Sequence, residues 1–168
     1  IILRADDVNL AAGVGSVDGQ ANLTIRSVAD TRDYRFGSAA VNVNDLDLTG
    51  TGSNSAMNFS QRDLDAVANR FSRNLIGHAG TANTTTIGDT SLNHRFDLSG
   101  RTISVVGTLL STTGVGLLST HGIAAAGPSL IKADRIDLDA PQGTITARID
   151  SAVSGTGGLA ARALGDIT

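Results

Sequence analysis

Leu3-Arg4-Ala5-Asp6-Asp7-Val8-Asn9-Leu10 is answered near the other end of the chain by Ile131-Lys132-Ala133-Asp134-Arg135-Ile136-Asp137-Leu138, position for position. Apolar positions meet apolar ones, Ala5 meets Ala133, Asp6 meets Asp134, and the basic Arg4 meets the basic Lys132. A looser copy lies between them as Val41-Asn42-Val43-Asn44-Asp45-Leu46-Asp47-Leu48. Each copy carries alternating apolar residues around an Asp/Asn corner, which reads as short strands joined by bends. Working outward, Val17-Asp18-Gly19 and Leu23 return as Val153-Ser154-Gly155 and Leu159, and Arg26 returns as Arg162. The offset of this second block is larger than that of the first, so the later copy is longer between the two, as an insertion in a connecting loop would make it. An internal repeat with a spacing near 130 is therefore expected, with 3–26 echoed at 131–162.

Composition narrows the architecture. All 16 acidic residues are Asp, and the 13 basic residues are 12 Arg and one Lys, so the long helix-favouring Glu and Lys side chains are nearly absent. Asp, Asn, Ser, Thr and Gly favour corners through local backbone bonds or access to positive φ. Ala, Val, Ile and Leu supply almost all of the apolar content, which predicts a core of many small, similar side chains. A net charge of −3 and 3 % aromatic residues offer neither a basic field for phosphates nor stacking platforms for bases, so nucleic acid is not an expected partner. The absence of Cys excludes disulfides and thiolate metal sites. No apolar run is long enough for a membrane span.

Along the chain, strand patterns are read at Ile1 to Leu10 (two short strands meeting at Asp6-Asp7), Ala21 to Arg26, Arg32 to Phe36, Thr84 to Ile87, Arg95 to Leu98 and Thr102 to Val106. The period changes once. Leu64, Val67, Ala68 and Phe71 fall at i, i+3, i+4 and i+7, and Ser60 with Asp63 resembles a capping box, which predicts one helix over about 61–72. From Gly107 onward, apolar pairs and small polar corners recur in strand-sized segments, leaving no room for crossover helices. An all-β sandwich is open to the same pattern, and the stronger solution is a parallel β-helix with one short lateral α-helix, about seven coils of roughly 20 residues each, making a rod roughly 30–35 Å long. Residues 1–168 are read as one β-helical segment of a longer repetitive chain. Leu3, Val8 and Leu10 are expected in the core.

Several of these blocks occur in an order that resembles the large filamentous-haemagglutinin-like surface proteins of bacteria. They are Ala5-Asp6-Asp7-Val8-Asn9-Leu10-Ala11-Ala12, Val17-Asp18-Gly19, Leu23-Thr24-Ile25, Asp63-Leu64-Asp65-Ala66-Val67, Phe71-Ser72, Leu75-Ile76-Gly77-His78 and Thr86-Ile87-Gly88-Asp89. The resemblance implies a right-handed β-helical stalk segment of a secreted or surface-attached protein, used for adhesion, matrix building or surface architecture, with no catalytic residues. Its partners would be neighbouring repeats or identical chains stacked end to end, and cell-surface polysaccharide or other surface proteins.

Candidate chemistry is sparse. Paired carboxylates can share acid and base roles in glycoside cleavage, which makes a carbohydrate-binding or polysaccharide-cleaving β-helix the alternative. Asp6-Asp7 and Asp134, however, belong to a repeat, and a catalytic set should occur once. Asp is therefore read as a corner residue, with no catalytic or cofactor-binding residue assigned. Stacked Asp/Asn corners could hold an occasional surface Ca²⁺, but the calcium-roll repeat is absent. His78, His94 and His121 are dispersed, and no metal site is assigned. Thr84-Thr85-Thr86 and Thr112-Thr113 are read as strand and corner residues rather than a regular threonine ladder. Gly13-Val14-Gly15 and Gly155-Thr156-Gly157-Gly158 lack the ending of a phosphate loop, and the Leu64/Val67/Ala68/Phe71 stripe is read as core.

Overall fold

A computed structural model gives the fold and describes residues 1–6, 8–10, 12–40, 56–79, 82–125, 127–147, 149–150 and 158–168. The chain is a parallel β-solenoid of about six turns, the architecture its alternation predicts with one turn fewer. β1 (Ile2–Arg4), β2 (Asn22–Arg26) and β3 (Asp33–Phe36) come first. β4 (Ala56–Phe59) leads into α1 (Gln61–Ala66), followed by β5 (Arg73–Gly77), β6 (Thr84–Ile87) and β7 (Thr90–Leu92). Three long strands then run round corners: β8 (Phe96–Val105), β9 (Thr108–Ala125) and β10 (Leu130–Ala140). β11 (Thr144–Ala147), β12 (Ile149–Asp150) and β13 (Gly158–Ala163) complete the order.

Register sorts these strands into three faces. The first stacks β7, the starts of β9 and β10, and β12. The second stacks β1, β2, β5, the start of β8, the middle of β9, the end of β10 and β13. The third stacks β4, β3, β6, the ends of β8 and β9, and β11. Because side chains alternate along a strand, one residue in two points inward. Leu3, Ile25, Ile76, Leu98, Leu117 and Leu138 consequently form one column on the second face. On the third, Phe59 stacks on Phe36 at 5.1 Å, and Ile87, Val105 and Ala125 continue that column. Burying each large side chain contributes about 1.5–3 kcal/mol.

A typical coil step carries Leu98 to Leu117 and Leu117 to Leu138, close to the coil length the sequence predicts. One step is far longer, since Ile25 lies beside Ile76 with β3, β4 and α1 all between them in the chain. In that interval the chain places β4 on the far side of β3 and adds α1 before resuming the stack.

The helix begins where the sequence predicts but ends at Ala66 rather than running to 72. The capping box is present, with the Asp63 N–H bonded to Ser60 Oγ and the Ser60 N–H donated to the Asp63 side chain. Val67 is already extended, at φ −77° and ψ 124°, and pairs in parallel with Val17. The Ala68 N–H donates to the Val17 carbonyl at 2.9 Å, so ladder bonds replace the next helical turn. Leu64, Val67 and Phe71 are buried as the apolar stripe implies, but from a short helix and an extended segment together.

The opening octet is also placed differently from its echo. Leu3 joins the second-face column through Ile25, whereas Ile131 sits on the first face beside Leu109. The two copies are alike in sequence and occupy different columns, so the offset between them is not a period of the coil. Of the octet, Leu3 and Arg4 are strand; Asp6 is a bend, and Leu10 donates its N–H to Asp63 Oδ1 at 2.8 Å. Leu3, Val8 and Leu10 pack against the core while partly buried. The copy at 41–48 lies outside the described residues.

Candidate functional site

The sequence-predicted acidic residues do not gather. Asp6 follows β1 and Asp134 lies in β10, with β2, β5, β8 and β9 between these strands on the second face. Asp134 sits at the register shift between Ala133 and Arg135, where the strand turns from one face to the next. Asp45 and Asp7 lie outside the described residues. Corner carboxylates do appear at other positions: Asp33 accepts the Thr84 N–H at 2.7 Å, Asp89 accepts the Thr108 N–H at 2.8 Å, and Asp63 serves Leu10 and Ser60. Among the described residues, no three His, Cys, Asp or Glu side chains cluster to hold a metal ion.

The three histidines have separate settings. His78 Nε2 contacts Asp30 at 3.1 Å and Nδ1 contacts the Tyr34 hydroxyl at 2.9 Å. Donation from Nε2–H to the carboxylate leaves Nδ1 to accept from the phenol in the neutral ring. Tyr34 in turn accepts the Ser27 N–H at 2.8 Å. Burial pushes the Tyr34 phenol up, and its bonds to Ser27 offset only part of this. The Ser27 hydroxyl donates to the Ala29 carbonyl and touches Tyr34 rather than His78, so the row satisfies a buried tyrosine and exposes no nucleophile. At another corner, His121 Nε2 lies 3.1 Å from Arg101 Nη2 and Nδ1 lies 2.9 Å from Thr120 Oγ1. Arginine only donates, so Nε2 accepts and Nδ1 carries the proton.

His94 occupies the most distinctive place. It lies at the corner between β7 and β8, where two adjoining cavities of about 270 and 290 Å³ share Asn69, Asn93 and His94. The first is closed by Val14, Asp65 and Val67; the second by Phe71, Asn74, Arg95 and Thr113. The wall is fixed by α1. Gln61 binds the backbone of Ser91 twice, its Nε2 donating to the carbonyl at 2.6 Å and its Oε1 accepting the N–H at 3.0 Å. Asp65 Oδ1 accepts from Gln61 Nε2 at 2.9 Å and from Asn93 Nδ2 at 3.2 Å. The His94 ring packs on Phe96 with centroids 4.7 Å apart. Burial holds its pKa below the usual value, with Asp65 acting weakly the other way.

Asn74 belongs to the same wall and was not conspicuous in the sequence. It pairs in register with Leu23, an inward position, and is 3 % exposed. Its Nδ2 donates to the Arg95 carbonyl at 3.1 Å, yet its buried Oδ1 has no partner among the described residues, nor has His94 Nε2.

Beside the cleft runs an arginine–aspartate ladder. Arg73 Nε donates to Asp97 at 2.6 Å, Arg95 Nη2 reaches Asp97 at 3.2 Å and Asp137 at 2.8 Å, and Arg135 Nε reaches Asp137 at 3.0 Å. Arg95 crosses a whole coil because that coil presents Gly114 and Gly116; a Cβ at Gly116 would overlap Asp97 Oδ1. Burial alone would raise the Asp137 pKa, but bonds from Arg135 and Arg95 outweigh it and hold the carboxyl below its usual range.

On the third face the outward positions align hydroxyls that sequence spacing kept apart. Thr84, Thr102 and Thr144 share one column with Gly122, and Thr86, Ser104 and Thr146 share the next with Ala124. The Thr84 and Thr102 hydroxyls are 3.1 Å apart. Thr112 instead serves a corner, donating to the Asn93 carbonyl at 3.0 Å.

No protein-family model, curated protein or solved structure matches the chain.

Proposed function

We propose that this chain is a structural repeat segment of a large bacterial cell-surface or secreted filamentous protein, a stiff stalk or fibre for adhesion, matrix or surface architecture. The observation that carries the reading is where the large exposed apolar side chains lie. Ile1, Ile2 and Val14 belong to the N-terminal coil, and Leu159, Leu164 and Ile167 to the C-terminal one; among the described residues, only Val28, Val106 and Leu110 lie elsewhere. Among the same residues, β1 pairs with β2 alone and β13 with β10 alone, so each leaves an edge of backbone donors and acceptors unpaired. Such edges favour addition of another parallel strand, and stacked coils bury apolar faces that one coil cannot. The natural occupant is a coil of the same kind, from the same chain or an identical one. Among the described residues no helix is long and apolar enough to cross a membrane. The bacterial source and extracellular or cell-surface location rest on the sequence resemblance.

Light scattering across a concentration series tests the stacking. Association that rises with concentration, yields particles lengthened along one axis and is suppressed by Leu159→Lys with Ile167→Lys is expected. A monomer persisting at high concentration counts against the proposal.

A further inference from the structure

We infer that Asp30, His78, Tyr34 and Ser27 form a proton-operated clasp, a row whose contacts are all bonded only when the His78 ring carries two protons. This goes beyond the fibre reading and does not depend on it. The clasp closes the long step of the solenoid. Ser27 directly follows β2, Asp30 lies on the corner beyond it and Tyr34 is in β3, all at the outset of the excursion that separates Ile25 from Ile76. His78 directly follows β5, the strand on which that excursion returns to the stack. Asn83 fixes the backbone at this point, its Nδ2 donating to the His78 carbonyl at 2.8 Å.

The number of protons along the row decides the matter. The Ser27 hydroxyl has one, and it is committed to the Ala29 carbonyl at 2.7 Å, because a carbonyl only accepts. The 2.9 Å contact between Ser27 Oγ and the Tyr34 hydroxyl therefore takes its proton from the phenol. With that proton turned to Ser27, the 2.9 Å contact between the phenol oxygen and His78 Nδ1 needs a proton on Nδ1. The 3.1 Å contact of Nε2 with the Asp30 carboxylate needs another on Nε2. A neutral imidazole has a single N–H, so either tautomer leaves one close pair of acceptors with no hydrogen between them; the imidazolium supplies both. When the neutral ring accepts from the phenol at Nδ1, the contact left without a hydrogen is the one between Tyr34 and Ser27. In the protonated row the phenol donates to Ser27 Oγ and accepts from His78 Nδ1 and from the Ser27 N–H at 2.8 Å.

The surroundings place a counter-charge at the ring. Asp30 is 75 % exposed and faces Nε2, while the His78 side chain is 19 % exposed. Arg26 on β2 acts on the Tyr34 phenol and opposes a second cation beside it. Arg32, on the same corner as Asp30, is engaged by Asp6, and Asp33 at the start of β3 accepts the Thr84 N–H. β8, which pairs with the end of β5, sets the uncharged Ser99 beside Gly77. Among the described residues, Asp30 is thus the carboxylate in contact with the ring. Protonation adds a bond at the phenol and an ion pair at Asp30. The closure is therefore tightest at low pH and loosens as pH rises through the range in which histidine titrates, about pH 5 to 8.

The test follows the ¹⁵N-labelled chain from about pH 8 to about pH 5, reading the ring-nitrogen shifts of His78 and the exchange protection of the Ser27 amide relative to the amides of β2. As both ring nitrogens become protonated, protection at Ser27 should rise by about two- to tenfold, the range that one net hydrogen bond gives. Asp30→Asn separates the clasp from a general effect of pH, and the exposed position of Asp30 leaves the fold intact. The new amide donates to Nε2, so a neutral ring holds its proton on Nδ1 and the row is complete without added charge. That variant should show the higher protection already at the alkaline end and no rise on acidification. Both chains carry His94→Asn, which removes the titration of His94, and they share His121 with its Arg101 and Thr120 contacts. The inference is overturned by a His78 ring that stays neutral throughout, by Ser27 protection that does not rise as the ring protonates, or by an equal rise in Asp30→Asn.

Discussion

Replacing Asp63 by Ala tests the principle that single carboxylates hold the corners of this solenoid. Asp63 is 4 % exposed, and its oxygens accept three hydrogen bonds: Leu10 N–H at 2.8 Å, Ser60 N–H at 2.9 Å and the Ser60 hydroxyl at 2.6 Å. The hydroxyl can rotate away, so Asp63→Ala strands two backbone donors. At about 1–3 kcal/mol for each buried group left unpaired, reduced by relief of the cost of burying the carboxylate, the expected loss is about 2–4 kcal/mol. For a chain of this size that lowers Tm by about 5–15 °C. Asp63→Asn, which keeps one acceptor oxygen, should fall between. Asp18→Ala is the control, because its ion pair with Arg70 is exposed and worth at most about 1 kcal/mol. Thermal unfolding followed by far-ultraviolet circular dichroism measures the global effect, and hydrogen exchange at the Leu10 amide measures the local one. A loss no greater than that of Asp18→Ala, with unchanged exchange at Leu10, would refute the reasoning.

Gly116→Ala should destabilise by about 1–3 kcal/mol, because the new methyl group overlaps the Asp97 carboxylate and obstructs the crossing from Arg95 to Asp137. Gly158→Ala, where a Cβ meets nothing within 4 Å, should be neutral or slightly stabilising in the same denaturation assay; equal effects at the two positions would show that the gap is not needed. His94 gives a pH dependence. Its folded-state pKa is lowered from 6.5 by burial, so the unfolded chain binds a proton more readily, and stability present above that value is lost as pH falls towards the folded-state pKa. Between about pH 7.5 and 5.5 the drop in Tm should be smaller for His94→Asn than for the parent chain, and identical drops would remove His94 as the cause.

Much of the architecture is legible in local chemistry. The alternation around Leu23 and Ile25 sets a strand with one face buried, and it appears as β2. Ser60 and Asp63 specify where α1 starts, since a capping box involves only neighbouring residues. The apolar spacing through Phe71 correctly marks burial but overstates helix length, because Val67 gains a ladder partner in Val17, far away in the chain. Likewise, the likeness of Leu3 to Ile131 reports shared strand-and-corner chemistry, while the pairings with Ile25 and Leu109 put them in different columns.

The sequence by itself determined that this chain is built of short strands with Asp, Asn, Ser and Gly at the corners. Those preferences arise from backbone sterics and bonds spanning a few residues. Only the tertiary structure decided which residues share a column, because this depends on the length of every corner and on the long step between Ile25 and Ile76. That step brings Asn69, Asn74 and His94 around one cleft, and the stacking of the coils sets Arg95 between two aspartates. The separated Thr84, Thr102 and Thr144 align for a related reason, as coil register carries them to the same outward column.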